Sequence, residues 1–374
     1  RQRQMCIRDR FGECCEDKVI ECGGEGSPPP GPIALINQIP KADTWEWTSD
    51  GWTERTPASA DDSPPARRGH LLAYRSATQE VLLFGGYISD SEGPGYFPGA
   101  DTWLWDGSTW RDVTSNLAAE APSPRSGSGM TYDASRDRVE LFGGNLSFGF
   151  FGGLAFDDTW EWNGSIWVEI DTAVAPPARA DHAMAYDPVR ERVLLFGGIA
   201  RTEFPFVFFS DTWEWDGTSW TELTPALGNE SPPPMFGASM AYDANRGRMI
   251  LLGPDGDTWE WDGARWTELS TSGASPIGFA TDVAYSAAAG RMVAFSGQDP
   301  DQADPQTGFV PNSQDTWLFS YKNVGPEACH SGLDADGDGD IGCDDSDCWG
   351  YCTPLCPPGT SCDPSSPQCL SLIH

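Results

Sequence analysis

Between residues 23 and 328 the chain has no cysteine. That interval owes nothing to disulfides, and its core must come from packing alone. Basic residues are also scarce, with 23 Lys and Arg against 56 Asp and Glu in 374 residues, a formal charge of −33. No nucleic acid is expected as a partner, because phosphate binding needs a basic footprint. No run of 18 apolar residues exists, so membrane insertion through an apolar helix is excluded. Histidine occurs four times, and no G-x-S-x-G elbow, P-loop or H-E-x-x-H motif is present. Aromatics are plentiful, with 17 Trp and 18 Phe, which argues for a packed chain rather than a disordered one. The 42 Gly and 31 Pro are about a fifth of the residues, below the level of roughly a quarter that signals disorder.

The 11 cysteines cluster at the ends: Cys6, Cys14, Cys15 and Cys22, then Cys329, Cys343, Cys348, Cys352, Cys356, Cys362 and Cys369. A short acidic tail rich in Gly, Pro and Cys cannot build an apolar core, and reads as disulfide-stapled and therefore exported. Zinc would want C-x2-C pairs, and the spacings here are longer, with His330 the only nearby imidazole. Seven thiols is an odd number, so one is free or pairs elsewhere.

Internal repeats carry the fold. Asp-Thr-Trp occurs six times, starting at Asp43, Asp101, Asp158, Asp211, Asp257 and Asp315. After five of these, a second Trp follows two residues on and a third seven on, as in Trp103, Trp105 and Trp110. An Asp-Gly or Asn-Gly turn lies between the second and third Trp, a strong hairpin signal. Upstream of each lies an apolar strand such as EVLLFGG (80–86), RVELFGG (138–144) or RVLLFGG (192–198), preceded by a small-residue strand ending in Tyr. Glycine pairs after the apolar strand permit positive φ where the chain leaves the sheet. A four-stranded unit recurring every 45–60 residues is the signature of a β-propeller blade, which must stack on neighbours to bury both faces.

With its apolar-then-Gly-Gly strands, its spaced aromatics and its Pro-x-Arg segments (Pro65-Ala66-Arg67, Pro177-Ala178-Arg179), the chain resembles the kelch-repeat family. The resemblance covers about 66–321 well and reaches weakly to residue 11. It implies an all-β, six-bladed propeller of four-stranded antiparallel blades over 11–325, and the cysteine-dense end adds a small irregular disulfide-rich tail over 326–374. The expected blades are 11–54, 66–113, 124–170, 179–224, 234–269 and 277–321. Blade one lacks most of an inner strand, and Val324 replaces the third Trp of blade six, so a weak seam between them is expected. Residues 1–10 (RQRQMCIRDR) resemble a translated sequencing adapter, on which reading the natural N-terminus and a signal peptide lie upstream.

In the kelch register, the connection entering each inner strand opens on one face near the axis. Arg67, Arg125 and Arg179 share that position in three consecutive repeats, with Met235 and Gly278 in the next two. His70 and His182 share a neighbouring position, where Ser128, Ala238 and Thr281 stand in the others. These five Arg and His residues are the candidate ligand-binding set. Arg suits bidentate contact with a carboxylate or sulfate, whereas buried or rim Arg in repeats usually pair internally, with an Asp or a carbonyl, which is the favoured reading. The Trp ladder reads as packing, since a binding residue has no need to recur in every repeat. Copper radical chemistry of the galactose-oxidase type is excluded, because the blades lack the Cys and most of the His it requires.

The tail segment DADGDGDIGCDD (334–345) follows a calcium-loop pattern, with Asp334, Asp336, Asp338 and Asp345 as side-chain ligands, Asp340 contributing a carbonyl or water, and Gly339 at the turn. Without flanking helices, it resembles thrombospondin type 3 and EF-hand-like loops of exported proteins. The expectation is a secreted or cell-surface binding protein that uses calcium and presents loops 87–100, 145–157 and 199–210 to a protein or glycan. The rival is a polysaccharide-active hydrolase or lyase on the Arg/His face.

Overall fold

Six antiparallel sheets follow one another along the chain. The computed structural model describes residues 19–22, 25–26, 39–40, 42–48, 51–89, 96–116, 121–147, 153–201, 205–224, 231–269, 282–286, 291–295, 316–318, 360–363 and 366–371. The second sheet orders Leu71–Arg75, Glu80–Phe84, Thr102–Trp105 and Trp110–Asp112 from one edge to the other. The third holds Gly129–Asp133, Arg138–Phe142, Thr159–Trp162 and Trp167–Ile170, and the fourth Ala183–Asp187, Arg192–Phe196, Thr212–Trp215 and Trp220–Glu222. The fifth holds Ser239–Asp243, Arg248–Leu252, Thr258–Trp261 and Trp266–Leu269. Three described strands make the first (Val19–Cys22, Thr44–Thr48, Gly51–Glu54) and three the sixth (Asp282–Ser286, Arg291–Phe295, Thr316–Leu318). In all six, the third strand of the repeat begins at the Thr of an Asp-Thr-Trp.

The register explains why the pattern recurs. Val81, Val139 and Val193 lie opposite Trp105, Trp162 and Trp215, which in turn lie opposite Trp110, Trp167 and Trp220. The two indoles of each pair sit 5.3–5.6 Å apart, so the outer hairpin is clasped by aromatic contact. Leu82, Leu83 and Phe84 are fully buried in succession, as are Ile250 and Leu251. A strand buried on both faces reads as an unbroken apolar run, because stacked sheets leave neither face to water.

Neighbouring sheets share one core. Leu82, Phe84 and Leu104 of the second pack with Met130, Val139 and Leu141 of the third, and Phe142 of the third packs with Met184 and Val193 of the fourth. Two directional contacts recur along the junctions, and a third reinforces the one between the third and fourth sheets. The outer Trp donates its indole N–H to the Asp-Thr-Trp threonine of the preceding sheet: Trp110 to Thr44, Trp167 to Thr102, Trp220 to Thr159 and Trp266 to Thr212, at 2.9–3.1 Å. The same indoles meet a preceding-sheet Phe edge-on, as in Phe84–Trp167, Phe142–Trp220 and Phe196–Trp266. Trp52 of the first sheet makes that contact with Phe295 of the sixth, at 5.1 Å.

The third contact is an arginine latch. Arg136, held by Asp133, Glu140 and Glu161, reaches out of the third sheet to the Gly217 carbonyl of the fourth at 3.1 Å. Gly217 has φ +94°, and a Cβ there would stand 2.5 Å from the Arg136 Nε. Glycine is thus required twice at that turn.

The chain divides into two compact units, Arg1–Leu318 and Phe319–His374. In the second, the described residues form a hairpin of Thr360–Asp363 with Ser366–Ser371, in which Cys362 lies opposite Cys369.

Gly107 occupies the same turn in the second sheet with φ +96°, but a Cβ there would meet nothing within 4 Å. Gly107→Ala is therefore expected to cost backbone strain alone, about 1–2 kcal/mol. Gly217→Ala should cost at least about 1 kcal/mol more, because the latch must also move. Urea unfolding of the two variants checks this, and equal losses would count against the latch.

Candidate functional site

Each of the three arginines is spent inside its own sheet. Arg125 forks onto Asp158 at 2.6 and 2.7 Å, donates to the Gly143 carbonyl at 2.9 Å and reaches the Ser123 carbonyl at 2.9 Å. Arg67 repeats this with Asp101, Gly85 and Pro65, and Arg179 with Asp211, Gly197 and Pro177. All three are at most 1% exposed. The guanidinium planes of Arg125 and Arg179 lie 4.0 Å from the rings of Phe156 and Phe209.

The carboxylate in each tie is the Asp of Asp-Thr-Trp, and its second acceptance is the indole N–H of that tripeptide's Trp, at 2.7 Å in Asp101, Asp158 and Asp211. Burial opposes ionisation of Asp101, but the Arg67 fork and the Trp103 N–H outweigh it and hold its carboxyl below the ordinary range. An anion from solution would have to displace this carboxylate. The arginine positions thus serve the internal tie, and the structure does not bring the three guanidinium groups to a common partner.

The tie positions something else. Directly after each buried strand the chain turns through a glycine pair and enters a small hairpin: Tyr87–Ser89 with Tyr96–Pro98, Asn145–Ser147 with Gly153–Ala155, and Ile199–Ala200 with Val207–Phe208. The segments carrying the arginines pair with these hairpins, as in Arg67↔Ile88, Ser126↔Asn145 and Ala180↔Ile199. In the fifth sheet the same connection is a tight turn through Gly253 and Gly256. The hairpins therefore stand on one face of three consecutive sheets.

Their outward side chains are apolar. Phe97, Leu154 and Val207 are 50%, 60% and 52% exposed, and Phe208 is 47% exposed. Phe97, Leu154 and Val207 each stand four residues before the Asp of their Asp-Thr-Trp, so they hold one repeat position. That regular offset was visible in the sequence, whereas the hairpins were not, because their lengths differ.

Similarity to known proteins agrees with this architecture. No protein-family profile matches the chain. Adagio-like protein 3 of Oryza sativa subsp. japonica is 27% identical over 261 residues, covering 66% of this chain and 37% of that protein. The flagellar outer-arm dynein alpha chain of Chlamydomonas reinhardtii is 38% identical over 116 residues, covering 28% of this chain and 2% of that one. The chain thus spans little more than a third of the first relative and a small part of the second. The solved structure of YjhT, a kelch-like β-propeller, superposes with a TM-score of 0.56 at 14% identity, covering 83% of this chain and 94% of that one. The fold is a β-propeller.

His70 lies partly buried just before Leu71, and His182 is 6% exposed at the equivalent place in the fourth sheet. His182 meets the Phe142 ring edge-on at 5.7 Å, and neither ring nitrogen has a hydrogen-bond partner among the described residues. Burial, with the nearby Arg179 charge, pushes its pKa down to about 3. The ring is neutral in the fold. Among the described residues no group of three or more His, Cys, Asp or Glu is placed to hold a metal. Asp334, Asp336, Asp338, Asp340 and Asp345 lie outside the described residues.

A histidine whose folded pKa is depressed loses stability as pH falls below its unfolded value of about 6.5, until the folded pKa is reached. Between pH 6.5 and 5, His182 is expected to remove about 2 kcal/mol. His182→Ala, which installs the residue found at Ala238, should flatten that slope in pH-dependent urea unfolding. An unchanged slope would show that the ring titrates normally.

Proposed function

We propose that this chain is an exported, six-bladed kelch-type propeller that works by binding, without catalysis, and that its hairpin face meets a protein or glycan. The observation that carries this is the exposure of Phe97, Leu154 and Val207 at one repeat position in three consecutive sheets. Leaving three large apolar groups in water at equivalent places forfeits burial worth about 1.5–3 kcal/mol each, a loss that a contact surface explains. The chain as a whole is strongly acidic, so exposed apolar groups at a shared position contrast with its charge.

Six blades are supported by the Trp52–Phe295 contact, which repeats between the first and sixth sheets the aromatic junction found between consecutive ones. A contact of this kind closes a ring without a free sheet face. Val324, on which the expected weak seam rests, lies outside the described residues. For the tail, the spacing of Asp334, Asp336, Asp338 and Asp345 supports a calcium loop, and the dense cysteines support disulfides and export.

The test is a binding screen of the intact chain against glycans and purified extracellular proteins, in calcium and in chelator. The combined Phe97→Ser, Leu154→Ser and Val207→Ser variant is expected to weaken the strongest interaction at least tenfold. Val189→Ser, an equally apolar exposed change in the turn at the opposite end of the fourth sheet, should leave it unchanged. Equal effects of both would sink the assignment of the face. A chain that takes up no calcium at millimolar concentration would remove the tail loop from the proposal.

A further inference from the structure

Among the described residues, four that are not glycine have positive φ: Gln79, Asp137, Asp181 and Glu191. Gln79, Asp137 and Glu191 stand at one place, the turn between first and second strands, where the fifth sheet has Gly247 at φ +69°. They belong to the repeat. Asp181 does not.

Asp181 lies two residues after Arg179, and the same position is Gly69, Gly127 and Gly237 in the second, third and fifth sheets, with φ of +61°, +64° and +71°. Asp181 keeps that left-handed backbone at φ +55°. It also keeps the sheet-to-sheet hydrogen bonds of the position, donating to the Gly127 carbonyl at 2.7 Å and accepting from Gly237 at 2.8 Å. The backbone role is met by glycine in the sibling sheets, so the carboxylate is an addition to it. Any residue with a Cβ holds this conformation at a cost, and such costs concentrate where function requires them.

A second departure accompanies the first. Arg201 occupies the hairpin position that is Ser89 and Ser147 in the two preceding hairpins. The two departures meet: Arg201 Nη1 lies 2.7 Å from Asp181 Oδ2, with side chains 30% and 29% exposed. The guanidinium also lies 5.4 Å from the ring of Phe236, and Phe236 is 5.5 Å from the ring of Phe208, which is 47% exposed. An ion pair still open to water over nearly a third of each side chain adds little stability, so strain at Asp181 is poorly explained by the pair alone.

We infer that Asp181, Arg201, Phe208 and Phe236 form a binding site for a neutral saccharide on the hairpin face. This rests on the binding role proposed above and narrows it to one ligand class and one place. The carboxylate accepts and the guanidinium donates, a combination that matches two neighbouring sugar hydroxyls, each able to do either. Phe208 offers an apolar face for the C–H side of a pyranose ring. The charges of the pair cancel locally, and the net charge of −33 repels acidic sugars. A neutral sugar is what remains.

The probe is an array of neutral oligosaccharides with sialylated and sulfated ones beside them, followed by calorimetry of the intact chain with the strongest neutral binder. Asp181→Gly and Arg201→Ser restore the residues of the sibling sheets. Each is expected to weaken binding at least tenfold while leaving the melting temperature at or above that of the parent. Unchanged affinity in both variants would overturn the site, as would a clear fall in melting temperature with Asp181→Gly, which would mark a structural tie. Binding of acidic sugars alone, or of no sugar, would overturn the ligand class. If a protein partner is still lost in the variant carrying serine at 97, 154 and 207, the wider proposal survives that failure.

Discussion

In the second, third and fourth sheets, the carboxylate of Asp-Thr-Trp is the joint on which the sheet depends. It takes both arms of a buried arginine that arrives from the segment leading into the first strand, and it takes the indole N–H of its own tripeptide. Because that arginine also donates to the carbonyl of the first glycine after the buried strand, one ion pair fastens three segments at one end of the sheet. Removing either partner would strand a buried charge, which costs far more than the pair itself contributes. The next residue, Thr, serves the neighbouring sheet by accepting its outer Trp. The third, Trp, fills the space between sheets. Three adjacent residues therefore couple the inside of a sheet, its junction and its packing.

This division separates structure from function by a simple rule. Residues that hold the fold recur in sheet after sheet, since every sheet faces the same physical problem. Residues that serve a ligand depart from the repeat, since a ligand is asymmetric. Arg67, Arg125 and Arg179 recur and are internally paired. The hairpins are intermediate: their exposed apolar position recurs in three sheets and is absent from the fifth, so the face has a direction around the axis. Asp181 and Arg201 occur once.

Much of the fold was legible because its signals are local. The Asp-Gly turns, the Trp spacing and the unbroken apolar strands each lie within about a dozen residues, and every one marks an element of the structure. The partner of each arginine was harder to see, since it lies 32–34 residues further along the chain. The near-constant separation of the two residues in the three repeats that carry the arginine would have paired them. The small hairpins were hidden by unequal lengths, and Asp181 by the fact that an aspartate in a loop is unremarkable until its φ is known. The ligand itself is not written in the repeat, because composition speaks to packing and charge and not to shape.

Sheets are fastened to one another through the Thr and Trp of successive repeats. A double-mutant cycle on Thr159 and Trp220, using Thr159→Val and Trp220→Phe singly and together in urea unfolding, measures that link. The hydrogen bond predicts a coupling of about 1 kcal/mol, with the double variant losing less than the sum of the singles. Additive losses would show that this hydrogen bond does not fasten the third sheet to the fourth.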